Sequence, residues 1–382
     1  MICCLQTELF LNGTLIAVRG IHTKFLINMK LFKCDNCGQL LYFENSRCVQ
    51  CGHQLGFLPH ETALYTLKED SGNYTIWGES AQTKYRYCNN HQYNVCNWLI
   101  PADSDALFCK ACSFNRTIPD ISNPEYRLRW NTIENAKHRL IYSLLRLKLP
   151  LRSKREDEET GLLFDFMADE EGSEQRILTG HDNGVVTLNI SEADDIEREM
   201  TRKSMDEVYR TVLGHFRHEV GHYYWDRLID NSAYIDEYRV LFGDERKDYG
   251  EALQAHYKHG APKDWNKNYI SAYATTHSWE DWAETWAHYL HIIDTVETAY
   301  AFGMSVHPAI AGNAALLHAD INIDPYETPD FNKVLTLWFP LTFALNSLNR
   351  SMGLHDLYPF VIPPKVIEKL LFIHKVCFGV RK

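Results

Sequence analysis

The sequence predicts an α+β protein: small cysteine-rich N-terminal modules, then a mainly α-helical domain with a small β-sheet. Three observations carry that expectation. Eight of the eleven cysteines fall in two groups before residue 113. Beyond Pro124, long stretches place apolar residues at mixed three- and four-residue spacing, the period of a helix buried along one side. Two short apolar runs, LLFDFMA and GVVTLNIS, flank a polar turn and read as strands.

Composition bounds the rest. A chain of 382 residues suggests two or three domains, and 45% hydrophobic and 13% aromatic content is ample for a core, which excludes a disordered chain. The formal charge of -11 argues against non-specific nucleic-acid binding by the whole molecule. With no run of eighteen apolar residues, no transmembrane helix and no membrane partner are expected. Paired cysteines confined to one third of the chain fit zinc sites in a reducing, cytoplasmic compartment better than a disulfide framework.

Residues 1–28 lack the basic start, unbroken apolar core and cleavage site of a secretory signal, and MKLFKCDNCG from Met29 reads as a natural start; 1–28 is expected to be an extension. In FKCDNCGQLLYFENSRCVQCG, Cys34 and Cys37 form one CxxC and Cys48 and Cys51 another. Each with its following Gly makes a tight knuckle, and two knuckles close a tetrahedral Cys4 zinc site around a hairpin containing LLYFEN. So short a module has little core, so the metal supplies much of its folding energy. The second group is Cys88, Cys96, Cys109 and Cys112. Its second half is a normal knuckle, whereas the spacing of eight in the first half requires a loop folded back on itself, with His91 an alternative ligand to Cys88 or Cys96. Residues 29–130 hold ten Lys/Arg and ten Asp/Glu. That zero net charge is no footprint for a phosphate backbone, so these modules are expected to serve structure or protein docking, with no nucleic acid bound.

From Pro124 a helix is expected, ended by Pro150, followed by the solvated loop RSKREDEETG and the two strands. The stretch SMDEVYRTVLGHFRHEVGHYYWDRLID then carries Val208, Val212, Leu213, Phe216, Val220 and Tyr223 at helical spacing, so it reads as a buried helix. Within it His218 and His222, four apart, share one helix face and can reach one metal ion, while Glu219 can take a proton from a water that the metal activates. A buried HExxH without metal would strand three polar side chains in the core. Downstream, EALQAHY is expected to be helical, with His256 and His259 at the surface. In YATTHSWEDWAETWAHYLHI, Ser278 can cap a helix on which Glu280 and Glu284 share a face. Two apolar helices close the chain, the first expected to kink at Pro340.

Together the two cysteine groups, HEVGHYYWDRL, FGDERKDYGEALQ and SAYATTHSWEDWAETWAHYLHI resemble the bacterial zinc-binding metallopeptidases that carry an N-terminal zinc ribbon. The similarity runs from Met29 to about Pro308 and more weakly beyond. The resemblance implies a zinc-ribbon region over 29–120 with two Cys4 sites and a gluzincin-like, zincin-fold metallopeptidase domain over 121–382. Carried onto Glu280-Asp281-Trp282-Ala283-Glu284, it makes Glu280 the third zinc ligand and Glu284 the carboxylate that orients a ligand imidazole. The pattern also resembles the catalytic domain of anthrax lethal factor, which places a metal-facing tyrosine at Tyr273, a donor to the oxyanion of a tetrahedral intermediate. His215 and Asp226 extend the polar face of the metal helix and are candidates to support the ligands. In such enzymes a strand beside the metal helix offers its edge to an extended substrate, and GVVTLNI is the candidate here. The expected activity is hydrolysis of a peptide or protein substrate with one catalytic and two structural Zn2+ and Glu219 as general base. The alternative is a zinc-ribbon interaction module whose zincin domain has lost activity.

Overall fold

A computed structural model of the chain describes residues 31–78, 83–169, 177–194, 198–200, 211–309 and 317–381. The expectation for residues 1–28 lies outside these.

The chain begins with a hairpin of β1 (Leu31–Lys33) and β2 (Leu40–Tyr42), joined by the first cysteine knuckle. Gly38 and Gly52 both adopt φ of 77°, and their amides close back onto the carbonyls of Cys34 and Cys48 at 2.9 Å. That left-handed turn favours glycine, which is why both CxxC pairs of the first group are followed by one. Next comes a feature the sequence reading did not anticipate, a five-stranded antiparallel meander. Its strands are β3 (Leu55–Leu58), β4 (Ala63–Asp70), β5 (Asn73–Ile76), β6 (Tyr85–Tyr87) and β7 (Leu99–Pro101), paired in chain order. A parallel bridge between Phe57 and Trp98 brings its two ends together, and Leu58, Leu67, Ile76, Tyr85 and Leu99 form a small separate core.

After the second cysteine group, β8 (Asn115–Thr117) leads to α1 (Pro124–Arg146). Asn123 caps α1 through the amides of Glu125 and Tyr126, with Pro124 at its first position. The helix stops short of Pro150 because Lys148 turns left-handed at φ 57°. A mixed sheet then forms from β9 (Leu163–Met167), β10 (Gly180–Asp182) and β11 (Val185–Asn189), together with β8, in the order β10-β11-β9-β8. GVVTLNI is therefore a strand but not an edge: β11 is paired parallel to β9 on one side and antiparallel to β10 on the other. Among the described residues the free edge on that side belongs to β10, whose three residues GHD are too short and polar to read as a strand from sequence.

The remainder is helical: α2 (Val212–Leu228), α3 (Ile235–Phe242), α4 (Tyr249–His259), α5 (Ser278–Ala301), α6 (Phe331–Ser351) and α7 (Pro364–Gly379), with a short ladder of β12 (Ser305–Val306) and β13 (Ala319–Asp320) after α5. α6 continues as one helix through Pro340. Ser278 is the first residue of α5 rather than its cap; the His277 ring accepts from the Trp279 amide at 3.1 Å instead. One hydrophobic core runs from Phe32 to Cys377, so the cysteine-rich part packs into the same core as the helices.

Two elements position the site, α2 and α5. They touch at Gly221, where an added Cβ would lie 3.0 Å from Ala283 Cα and 3.2 Å from Trp286 Cδ1. A small residue on each helix permits that approach, and the Trp282 indole donates to the Gly221 carbonyl at 2.8 Å, which fixes the register.

Candidate metal centre

The close crossing brings three ligand atoms to one point. His218 Nε2 and His222 Nε2 are 3.2 Å apart, and Glu280 Oε2 lies 3.0 Å from the first and 3.5 Å from the second. Three atoms each about 2.0–2.1 Å from a tetrahedral zinc would stand about 3.3 Å apart. Glu280 is 2% exposed, and its Oε2 has no hydrogen-bond partner among the described residues. A buried carboxylate oxygen left without a donor is costly unless a cation completes it, so these residues fit the implied metal.

The surrounding groups hold the three side chains. Glu284 Oε1 is 2.7 Å from His218 Nδ1, and Ser271 donates to Glu284 Oε2 at 2.6 Å. A ligand histidine bonded through its other nitrogen to a carboxylate has its tautomer fixed, leaving Nε2 for the metal. Tyr249 donates to Glu280 Oε1 at 2.7 Å. Trp279 lies over the His222 ring at 3.8 Å between centroids. Burial alone would depress His218 and raise both carboxyls. The charges outweigh it: Glu280 and Glu284 hold His218 well above the ordinary histidine range, while the two histidines hold Glu280 well below its own. The point between them favours positive charge.

Glu219 is 7% exposed on α2 between the two histidines. The Tyr273 ring stands 6.2 Å from that of His218, and burial, with the Glu280 charge, pushes its phenol well above the ordinary value. His256, expected at the surface, is half-buried with its ring 6.0 Å from Tyr273, whereas His259 is exposed. His215 pairs with Glu192. Asp226, pushed up to about 6 by burial, lies 4.0 Å from His181 Nε2. His181 itself comes from the free edge strand β10, its side chain 1% exposed and its ring 6.3 Å from that of His222. Tyr249, Ser271, Trp279 and His181 belong to no spacing motif. Tyr249 and Ser271 lie within the stretches FGDERKDYGEALQ and SAYATTHSWEDWAETWAHYLHI that carry the resemblance, and Trp279 adjoins Glu280, but no pattern marked what each would touch.

Both cysteine groups assemble. Cys34 Sγ lies 3.6 Å from Cys51 Sγ, and Cys37 Sγ 3.7 Å from Cys48 Sγ. In the second group Cys96 and Cys109 are 3.7 Å apart, and Cys88, Cys96, Cys109 and Cys112 all converge. Four thiolates about 2.3 Å from a tetrahedral zinc would be about 3.8 Å apart. His91 turns away from this group: its Nδ1 is 2.8 Å from the Cys96 carbonyl and its ring stacks on Tyr87 at 3.7 Å.

Residues 126–376 match a family model described as "Putative zinc-binding metallo-peptidase", and residues 31–123 match a zinc-ribbon domain model. Uncharacterized proteins of Mycobacterium tuberculosis and Mycobacterium bovis are 42% identical to the chain over 349 residues, which is 91% of this chain and 95% of each of theirs. No solved structure matches. Among the described residues no helix is long and apolar enough to cross a membrane.

Proposed function

The chain belongs to this zinc-binding metallopeptidase family and carries a zinc-ribbon domain ahead of it, and from that premise we propose that it hydrolyses peptide bonds at a gluzincin-like centre held by His218, His222 and Glu280. One observation carries the reading: three ligand atoms, 3.0 to 3.5 Å apart, face a single buried point on the same helix pair as Glu219. Zinc bound there supplies a Lewis acid that makes a water acidic enough to attack near neutral pH. Glu219 receives the proton on its carboxylate and delivers it to the leaving amine. Tyr273 donates its hydroxyl to the oxyanion that develops on the substrate carbonyl. Glu284 keeps His218 oriented, and β10 offers its free edge to an extended peptide in place of the buried β11.

In this reading the chain binds three zinc ions, one at this centre and two in the Cys4 groups, and works in a reducing compartment that keeps eight thiols unoxidised. The ribbons brace the fold and offer a docking face to a protein partner. Digestion of a peptide library by wild type beside Glu219→Gln tests the catalytic part. The amide keeps the ligand set but cannot accept a proton, so hydrolysis should vanish while zinc stays bound. Equal turnover by the two proteins, or none by wild type with all zinc in place, would reject a working peptidase.

A further inference from the structure

Helix α4 buries none of its side chains. Its Tyr249 is 37% exposed, yet the hydroxyl reaches inward to Glu280, which is 2% exposed. The ring meets those of His277 and Trp279 edge-on, at 5.6 Å and 5.9 Å. Other polar ties of this segment to the body include the interaction of the Tyr249 hydroxyl with that of Tyr273, the Lys247 carbonyl, 3.1 Å from His277 Nε2, and a 3.4 Å contact between Thr275 Oγ1 and His256. The part of Tyr249 that reaches the centre is therefore its hydroxyl.

Glu280 offers two oxygens. Oε2 faces the point shared with the two histidines, and Oε1 accepts from Tyr249 at 2.7 Å. Without that donor, Oε1 is free to swing toward the same point or to turn the whole carboxylate away, and either motion changes the geometry presented to a metal. We propose that Tyr249 is a positioning residue for this centre: its hydroxyl holds Oε1 of Glu280 so that Oε2 alone is presented beside His218 and His222. This rests on the reading of those three residues as the ligand set. Because the donor sits on a helix that buries nothing, the third ligand is coupled to the position of a surface element. Lifting α4 releases Oε1.

Tyr249→Phe keeps the ring and removes only the donor. In the full zinc-loaded chain, the HExxH-site zinc should pass to dipicolinate about tenfold more readily than in wild type. The visible spectrum of the cobalt-substituted centre should shift, and kcat on a peptide library should fall with KM unchanged. The melting temperature of the zinc-loaded variant should fall by no more than the tenfold weaker zinc accounts for, about 1.4 kcal/mol, and that of the protein stripped of this zinc should equal wild type, which separates positioning from packing. Wild-type zinc affinity and cobalt spectrum in Tyr249→Phe overturn the proposal. Glu280→Ala runs beside it. If that variant loses the zinc while Tyr249→Phe does not loosen it, Tyr249 alone is misassigned; if Glu280→Ala keeps its zinc, the ligand set falls and the proposal with it.

Discussion

Glu280 and Glu284 are the same residue type, one helical turn apart on one face of α5, yet their surroundings assign them different work. Glu280 presents an oxygen with no hydrogen-bond partner to two imidazole nitrogens, whereas both oxygens of Glu284 are occupied, one by His218 Nδ1 and one by Ser271. In the proposed centre the fully occupied carboxylate orients His218 and the one with an open oxygen binds the metal. Glu280→Ala should therefore strip the HExxH-site zinc, while Glu284→Ala should weaken it only about ten- to a hundredfold. Zinc content after dialysis against a graded chelator reads both, and equal loss in the two variants would refute the division of roles. Spacing alone had allowed either glutamate, and the resemblance to known peptidases placed the ligand first. Tyr249 and Ser271 stayed hidden for a physical reason. Their hydrogen bonds join residues 31 and 13 positions apart through loops, and no periodicity encodes such a bond.

At the scale of elements, the contact between α2 and α5 decides whether the centre exists. A methyl group at position 221 would press on Ala283 and Trp286, so Gly221→Ala should separate the helices and cost about 1–3 kcal/mol. The same shift pulls Glu280 from the histidines, so zinc at this centre should be lost before the fold is; a variant with wild-type melting and zinc content would show that the helices have room. The middle of α5 meets α7 through His374, whose Nδ1 lies 3.0 Å from the Tyr289 hydroxyl while Nε2 faces the carbonyls of Thr328 and Pro329 at 3.1 Å. Burial pushes this histidine down to about 4 against the pull of those carbonyls. The unfolded chain takes up a proton near pH 6.5 that the folded chain refuses, so stability is lost as pH falls from about 6.5 to about 4, by roughly 2–3 kcal/mol. Melting temperatures across that window should drop less steeply in His374→Gln than in wild type, and parallel curves would contradict the assignment. Long helices such as α2 and α5 were legible because a 3.6-residue period persists over many turns. The meander β3 to β7 was not, since four of its five strands have only three or four residues and no sustained alternation. GVVTLNI was recognisable as a strand, but its place inside the sheet depends on β10, a partner that local pattern does not reveal.

Over the whole molecule, the second cysteine group is joined to the helical part by covalent neighbours, by a strand and by buried charge. Three residues after Cys112, β8 begins and pairs with β9 in the sheet that borders the metal helix. On the other side, Cys112 Sγ lies 3.8 Å from His138 Nε2 and 3.8 Å from Glu134 Oε2, both on α1. Glu134 also accepts from Trp130 at 3.1 Å and Asn115 at 2.6 Å, and it pairs with Lys137 at 2.8 Å, where Glu134 and Lys137 are both fully buried. Burial alone would strip the Lys137 proton, but the Glu134 and Cys112 charges hold its pKa above the ordinary lysine value. Such a network is stable only when every member is present, because an unpaired buried charge costs about 3–5 kcal/mol. A structural zinc contributes about 10 kcal/mol or more to folding, comparable to the whole stability of a domain. If the second cysteine group holds zinc as proposed, losing that ion should undermine α1 and the sheet, not the ribbon alone. We expect Cys112→Ser to bind one zinc fewer and to melt in a single calorimetric transition well below that of wild type, with hydrogen-exchange protection of α2 and α5 falling together with that of β8 and α1. A second transition persisting at the wild-type temperature, with α2 and α5 still protected, would mean that the helical part stands without the ribbon zinc and that the network at Glu134 only decorates the junction.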